Sequence, residues 1–376
     1  MKTNSPTARS AFLCLFLACA ATSQNNLSVR PSAPVGKLTA GRDMTTARGG
    51  HTATMLPDFK VLIAGGKQEH GVVLASTEIY DPTTETFSPG ANMRVAREGH
   101  VAASLSDGKI LVAGGTTRGG ATLASSEDFD FESGEFTPRG NMHARRAHAV
   151  AVVLRDGRVL VTGGEDGNQP LASAELYNVL DGKWTLAGKM STARAYHTAT
   201  LLADGRVLIA GGVIAGGRGS GHTAIASAEI FDPKTNKFTP AGSFQHARFG
   251  HTAALLANAA VLIAGGTGGT GHSALTSAEI YKPESNSFAP TGSLTEARFN
   301  LPASTAFDGR VLIVGGAASA EIYDVKAGSF RTVDGSLDTA RYFSAAVQLM
   351  DGTTRIFGGY DSKGVSTAKT WIYRPR

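Results

Sequence analysis

Short apolar segments alternate with turn residues along most of the chain, and four such segments make up each repeating unit. The second segment of a unit, such as Val207–Ala210, is apolar at every position, as expected of a strand covered on both faces. β-Branched and aromatic residues in these segments favour strand over helix. No segment shows a convincing helical period. The pattern therefore predicts an all-β protein.

A double glycine ends the second segment of each unit and occurs seven times, at intervals of 43 to 54 residues: Gly65-Gly66, Gly114-Gly115, Gly163-Gly164, Gly211-Gly212, Gly265-Gly266, Gly315-Gly316 and Gly358-Gly359. An Ala-Arg pair precedes each one, and its arginines are Arg48, Arg97, Arg145, Arg194, Arg248, Arg298 and Arg341. A segment that begins with glutamate follows six of them, and its glutamates are Glu78, Glu127, Glu175, Glu229, Glu279 and Glu321. In the last copy Trp371 stands at this place.

An Asp-Gly pair lies between the first and second segments of five units, at Asp107, Asp156, Asp204, Asp308 and Asp351. This pair favours a tight hairpin in which both turn residues adopt positive φ. We therefore predict two-residue turns at these places.

Repeats of this length, with double glycines and a later aromatic residue, are typical of β-propeller blades. At these residues the sequence resembles the kelch family: the double glycine, the Glu-Ile-Tyr-Asp-Pro segment at 78–82 and the aromatic Phe87 are that family's marks. The resemblance extends from about Gly36 to the C-terminus. It implies a seven-bladed kelch-type β-propeller of four-stranded antiparallel blades, with the first strand of each blade lining a central channel.

The two ends of the repeat region complement each other. The segment at 36–44 is similar to 183–190, the fourth segment of a unit, yet it precedes any first segment. The last unit ends soon after Tyr373 and lacks a fourth segment. We expect the N-terminal strand to complete the C-terminal blade, which closes the ring and removes an open sheet edge.

The first 20 residues have the features of an export signal: Lys2 and Arg9, a short apolar core, and small residues around Cys19. The alternative is a lipoprotein signal that leaves a lipid anchor on Cys19. Cys14 and Cys19 are the only cysteines, so the mature domain has no disulfide. We predict a signal peptide at 1–20, a flexible lead-in at 21–35 and the propeller at 36–376.

Export would place the protein in the periplasm or outside the cell. No later stretch of sequence predicts a transmembrane helix. We expect a monomer.

Repeated charged side chains have two interpretations. The seven arginines could form a basic ring that attracts acidic sugars, or each could pair with a glutamate of the third segment as part of the structure. Six glutamates for seven arginines favour the structural interpretation. The net charge of +5 falls by two without Lys2 and Arg9, and basic runs are missing, so nucleic acid is not expected as a partner.

Histidines also recur, three residues after the repeat arginine: His51, His100, His148, His197 and His251. Such a series could hold a metal. Packing of the rings with their nitrogens bonded to backbone is the favoured interpretation, so no metal and no cofactor are expected.

The loops after the double glycines vary most in length, and variable loops on a rigid scaffold commonly bind ligands. Their polar and aromatic residues are the candidate ligand-binding set: Arg118, Asp166, Asn168, Arg218, His222, His272, Tyr360 and Asp361. No catalytic residue is assigned.

We hypothesise an exported, non-catalytic binding module for a glycan or an extracytoplasmic protein. The first alternative is a carbohydrate-active enzyme similar to sialic acid mutarotases, with Asp166 or Asp361 beside Arg118 or Arg218. The second is a purely structural repeat protein of the cell surface. The resemblance to galactose oxidase lacks that enzyme's copper radical site, because the mature chain has no cysteine. A converging acid–base pair at the channel mouth would favour the enzyme.

Overall fold

The computed structural model describes residues 35–216, 221–268 and 273–376. It is a β-propeller of seven four-stranded antiparallel sheets, which confirms the predicted fold class. The strands of blades 1 to 7, from the channel outwards, are Thr52–Met55, Val61–Ala64, Thr77–Asp81 and Thr86–Pro89; Val101–Ser104, Ile110–Ala113, Ser126–Asp130 and Glu135–Pro138; Val150–Val153, Val159–Thr162, Ser173–Asn178 and Lys183–Lys189; Thr198–Leu201, Val207–Ala210, Ser227–Asp232 and Lys237–Ser243; Thr252–Leu255, Val261–Ala264, Ala278–Lys282 and Ser287–Pro290; Ala303–Thr305, Val311–Ile313, Glu321–Asp324 and Ser329–Thr332; and Ala345–Gln348, Thr354–Phe357, Thr370–Pro375 and Gly36–Ala40.

Two short ribbons extend the loops of blades 4 and 5, Val213–Ala215 with His222–Ala224 and Thr267–Gly268 with Ser273–Ala274. The described residues contain one short 3-10 turn, Glu69–Gly71. In that same part of the chain, no helix is long and apolar enough to cross a bilayer.

The ring closes as predicted. The N-terminal strand pairs antiparallel with the third strand of blade 7, with Leu38 opposite Tyr373. The first strands of neighbouring blades contact one another all the way round, so they line the channel. One boundary shifts: Val35, which we placed in the flexible lead-in, is buried beside Leu38 in the core of blades 6 and 7. The rest of the predicted signal and lead-in lies outside the described residues.

Each pair of neighbouring blades encloses its own hydrophobic core, seven in all among the described residues. The second strand is buried along its whole length, as its unbroken apolar sequence predicts. In blade 1 the aromatic of the third strand, Tyr80, packs on Phe87 of the fourth at 4.9 Å between ring centroids. Five other blades repeat this pairing at 4.9–5.1 Å.

The hairpins between first and second strands are longer than predicted. In blade 2 the Leu105 N–H bonds the Lys109 carbonyl and the Gly108 N–H bonds the Leu105 carbonyl. Only the glycine adopts positive φ, at 85°. The two-residue turn with both residues at positive φ was therefore wrong, because Asp107 does not adopt positive φ and its side chain accepts a hydrogen bond from the Lys109 N–H instead.

A buried arginine–glutamate pair joins three segments in each of blades 1 to 6. In blade 1 the Arg48 guanidinium lies 2.9 Å from Glu78 and donates to the carbonyl of Gly65, the first of the double glycines. Glu78 also accepts backbone N–H bonds from the link between blades, at Thr45 and Thr46. The corresponding pairs are Arg97–Glu127, Arg146–Glu175, Arg194–Glu229, Arg248–Glu279 and Arg298–Glu321, at 2.6–3.0 Å.

Blade 3 corrects one assignment. Its buried arginine is Arg146, not Arg145, which is exposed. Every buried arginine of blades 1 to 6 stands 17 residues before the glycine whose carbonyl it binds, and only Arg146 satisfies that spacing. The Ala-Arg pair indicated the wrong arginine in this blade, because two arginines follow Ala144 and the second of them is the buried one.

Blade 7 departs from the pattern. Trp371 occupies the place of the glutamate, and the Arg341 guanidinium lies 5.9 Å from its ring centroid. Arg341 pairs instead with Asp338, three residues earlier, at 2.7 Å.

Replacing Glu229 by alanine will leave Arg194 as an uncompensated buried charge. We expect the free energy of unfolding in denaturant to fall by about 3–5 kcal/mol. The matched control is Asp204→Ala, which breaks the solvent-exposed Arg206–Asp204 pair and should have a far smaller effect. Equal losses in the two variants would contradict a structural role of the buried pair.

Candidate functional site

The upper rim of the propeller carries both the link that enters each first strand and the loop after each double glycine. Isolated backbone bridges join the two in six blades, for example between Gly49 and Lys67 and between Ala147 and Glu165. The lower rim carries the hairpins between strands one and two and between strands three and four. Upper-rim residues nearest the axis therefore come from links and loops together.

A closed ring of seven backbone hydrogen bonds encircles the channel at the upper rim. Each ring residue donates its N–H to the carbonyl of the equivalent residue in the preceding blade, at 2.7–3.3 Å. We call these residues the peptide ring: Gly50, Gly99, His148, Tyr196, Gly250, Asn300 and Phe343. The bonds satisfy these groups at a point where no sheet continues.

All seven ring residues adopt the left-handed conformation, with φ between 50° and 63°. Glycine accepts this conformation freely, whereas another residue costs about 1–2 kcal/mol there. Four blades nevertheless carry a side chain: His148, Tyr196, Asn300 and Phe343. Such strain is concentrated at functional sites.

His148 was assigned to the wrong series. It stands two residues after the buried Arg146 and lies in the peptide ring, and Ala149 occupies the place three residues after that arginine. His51, His100, His197 and His251 occupy that place in other blades and are buried. Nε2 of His100 lies 3.0 Å from the Thr52 hydroxyl of the preceding blade. Burial lowers the pKa of His100 to about 3. The described residues contain no group of three or more His, Cys, Asp or Glu side chains placed to hold a metal ion.

The side chains of the peptide ring lie over the preceding blade. A Cβ added to Gly99 would stand 2.6 Å from His148 Cε1, and one added to Gly250 would stand 2.4 Å from the Asn300 amide oxygen. Tyr196 stacks on His148, with ring centroids 4.5 Å apart and 20° between the planes. The glycines of blades 2 and 5 thus make room for the side chains of blades 3 and 6.

Glu165 is the carboxylate beside this stack. Its Oε1 accepts a hydrogen bond from the Tyr196 hydroxyl at 3.3 Å and lies 3.8 Å from His148 Nε2. Its Oε2 lies 3.7 Å from His222 Nε2. Burial raises the pKa of Glu165. Burial and the Glu165 charge raise the pKa of Tyr196.

A second carboxylate, Glu98, pairs with Lys67 at 2.7 Å. The Lys67 ammonium also lies 5.9 Å from the ring centroid of Tyr360, whose hydroxyl donates to the Gly49 carbonyl. Burial lowers the pKa of His148 to about 4, and the charge of Lys67 adds to this effect. These groups therefore form one electrostatic unit on the side of blades 1 to 4.

Aromatic side chains occupy the other side of the mouth. Phe249 meets Tyr196 edge to face with centroids 6.3 Å apart, and Phe343 meets Tyr360 at 6.3 Å. Phe299 and Tyr342 lie 4.9 Å apart. The mouth thus carries its charged groups over blades 1 to 3, and aromatic rings lie over blades 4 to 7.

The candidate loop residues have different positions. His222 and Tyr360 belong to the mouth. Asp166 and Asp361 turn their carboxylates to their own loops: Asp166 accepts the N–H of Asn168 at 2.8 Å, and Asp361 accepts the N–H of Lys363 at 2.8 Å. Arg118 is exposed in the loop of blade 2. Arg218 and His272 lie outside the described residues.

Sequence reasoning missed most of the mouth: Lys67, Glu98, Glu165, Tyr196, Asn300 and Phe343. One signal was available. The position two residues after the buried arginine is glycine in three blades and a side chain in four, so the break in the repeat marked the site.

Lower-rim grooves have their charges largely matched. One groove of about 730 Å³ between blades 3 and 4 contains the pairs Arg158–Asp156 and Arg206–Asp204, both at 2.6 Å. The upper mouth is the better candidate site, because its seven equivalent ring positions carry different residues and Glu165 there has no permanent cation among the described residues.

Fold and repeat marks define a kelch-type seven-bladed β-propeller. The model of the Attractin/LZTR1 β-propeller family matches residues 33–276, and the chain belongs to that family. No curated protein sequence matches it.

A solved structure, described as a novel fungal alcohol oxidase with catalytic diversity among the AA5 family, in complex with copper, is similar in fold. The TM-score is 0.73 at 20% identity, over 91% of this chain and 76% of that chain. At this identity the likeness concerns the fold alone.

Replacing Lys67 by methionine will remove a cation near His148. We expect the pKa of His148 to rise from about 4, although burial will still hold it below 6.5. NMR titration of the histidine ring measures this, with Lys363→Met, in the exposed loop of blade 7, as the control. Because the folded state holds this pKa below its unfolded value, stability falls as the pH drops from about 6.5 towards 4, and less so in the variant. An unchanged pKa would contradict the coupling.

Proposed function

We propose that this propeller is an exported binding module that holds a glycan at the mouth of its channel on the upper rim. The observation that carries the proposal is the Tyr196–His148 stack with Glu165 bonded to its edge. Aromatic rings offer flat apolar faces and carboxylates accept hydrogen bonds from hydroxyls, which is the usual composition of a site that fixes a polar ligand by a few convergent groups.

Strain supports a binding role for the same residues. Four non-glycine residues are kept left-handed in a ring where glycine serves equally well in three blades. Tyr196 stacks on His148 and meets Phe249 edge to face. Phe343 meets Tyr360 at the same mouth. If these side chains bind a ligand, their presence explains why the protein keeps residues whose left-handed conformation costs free energy.

Charge argues against an acidic sugar. The repeat arginines are buried in pairs with glutamates and do not reach the mouth. The mouth itself presents Glu98 and Glu165 against the single described cation Lys67. A neutral or basic glycan fits this balance better.

Export through residues 1–20, to the periplasm or the cell exterior, is part of the proposal. Its support is the basic start and short apolar core of that segment. An extracytoplasmic protein is the other kind of partner that such a rim would bind.

Replacing Tyr196 by alanine tests the proposal, because it removes the stacking face and a hydrogen bond to Glu165. The wild-type protein is titrated calorimetrically with neutral oligosaccharides of glucose, galactose, mannose and N-acetylglucosamine. We expect at least one to bind, and the variant to lose tenfold or more in affinity, about 1.4 kcal/mol.

The control is Leu180→Ala, in a lower-rim turn where Leu180 is 94% exposed, and it should bind as the wild type does. If the variant with alanine at 196 binds equally, the site lies elsewhere. If no oligosaccharide binds, the proposal of a glycan ligand is wrong, and the protein has a protein partner or a purely structural role.

A sugar-active enzyme of the mutarotase type is the second candidate, and one observation favours it. Glu165, whose pKa is raised, converges with Tyr196 and with the neutral imidazole of His148 at the mouth. Opening and closing of a sugar ring needs one group that gives a proton and one that takes it. Glu165 and His148 are the two groups at the mouth that could exchange protons with such a sugar.

Anomer exchange of N-acetylneuraminic acid and of neutral hexoses, followed by NMR, tests this candidate. An enzyme would exceed the buffer rate, and Glu165→Gln would lower the rate by a hundredfold or more while keeping binding. A wild-type rate equal to that of buffer would exclude mutarotation of these sugars and leave the binding module.

A further inference from the structure

The charge environment of Glu165 is unlike that of the other buried glutamates. Its side chain is 22% exposed, and its described neighbours are a tyrosine hydroxyl and the two imidazoles of His148 and His222. No lysine or arginine of the described residues lies within 4 Å of it. The six glutamates of the third strands each have a guanidinium, and Glu98 has Lys67.

Neither imidazole is a permanent cation, and only a protonated His222 favours the charged form of Glu165. His148 keeps a neutral ring down to low pH, and both imidazoles stand at 3.7–3.8 Å, too far for a strong hydrogen bond. A partly buried carboxylate without a cation carries an uncompensated desolvation cost. A positive charge that enters from solvent would therefore form an ion pair with Glu165. That ion pair would also offset the desolvation cost of the carboxylate.

Aromatic faces around the carboxylate suit a cation as well. Tyr196 and His148 stack at its edge, and Phe249 stands next to Tyr196. An ammonium gains from lying over such faces within about 6 Å. The protein already uses this arrangement once at the mouth, where the Lys67 ammonium lies 5.9 Å from the Tyr360 ring centroid.

We propose that the ligand at the mouth presents a protonated amine to Glu165, so that the glycan is an amino sugar with a free amine. This inference rests on the proposed glycan-binding function and adds the group that the site selects. The amine pairs with the Glu165 carboxylate. The sugar ring stacks on Tyr196, whose hydroxyl bonds that carboxylate.

The test compares two ligands that differ in one group. Glucosamine oligomers and N-acetylglucosamine oligomers of equal length are titrated calorimetrically into the protein at a pH where the amine is protonated. We expect the free amine to bind at least tenfold more tightly. Glu165→Gln, which keeps the shape and removes the charge, should abolish that difference.

The matched control is Asp324→Asn, which removes the same charge in a lower-rim turn. Asp324 accepts backbone N–H bonds from Lys326 and Ala327, and asparagine can make the same bonds, so the preference for the amine should persist. Equal melting temperatures of the two variants establish that both are folded. Loss of the preference in both would overturn the role of Glu165.

The remaining outcomes separate this inference from the proposed function. If the acetylated oligomer binds equally or more tightly, the proposed recognition of an amine is wrong, and the proposed binding of a glycan remains. Binding of neither oligomer, nor of any neutral oligosaccharide, overturns both. If cadaverine, an amine without a sugar, binds as tightly as the glucosamine oligomer, the proposed amino sugar is wrong. The site then recognises an amine alone.

Discussion

The buried arginine–glutamate pair is the interaction on which the propeller depends. Arg48 illustrates it: one guanidinium binds the carbonyl that ends the second strand, the carboxylate of the third strand and the loop between them. The same carboxylate holds the backbone of the link that arrives from the previous blade. Each pair therefore fixes the geometry of a blade and its attachment to the neighbour in a single node, and the low dielectric of the core makes every partner obligatory.

That node also places the candidate functional site. The residue two positions after each buried arginine has no freedom left, because the arginine fixes one side and the first strand begins on the other. It becomes left-handed, and its N–H joins the peptide ring around the axis. The scaffold thus presents seven equivalent positions at one mouth, and the blades differ there only in the side chain they carry. A symmetric framework acquires an asymmetric site through His148, Tyr196, Asn300 and Phe343.

Electrostatics give the mouth its chemical character. The many charges of the repeat are used in pairs inside the blades or within turns, so they contribute little field at the rim. What remains at the mouth is a short set in which Lys67 is matched by Glu98 and Glu165 is matched by nothing permanent among the described residues. The lower rim shows the contrasting case, where Arg158 and Arg206 each pair with an aspartate two residues away.

The sequence by itself determined the fold, because the left-handed double glycine recurs in every blade and a largely apolar second strand recurs in blades 1 to 6. A fourth strand that precedes the first unit also predicted how the ring closes. The sequence also contained the spacing of 17 residues between each buried arginine and the first glycine of the double glycine. That spacing distinguishes Arg146 from Arg145. Only the tertiary structure decided the site. Glu98, Glu165, Tyr196 and Tyr360 come from four blades, and their approach to one another depends on the curvature of the ring, which no local pattern encodes. The prediction of two-residue hairpins failed for a local reason, since the aspartate side chain bonds the backbone two residues on and only the glycine adopts positive φ.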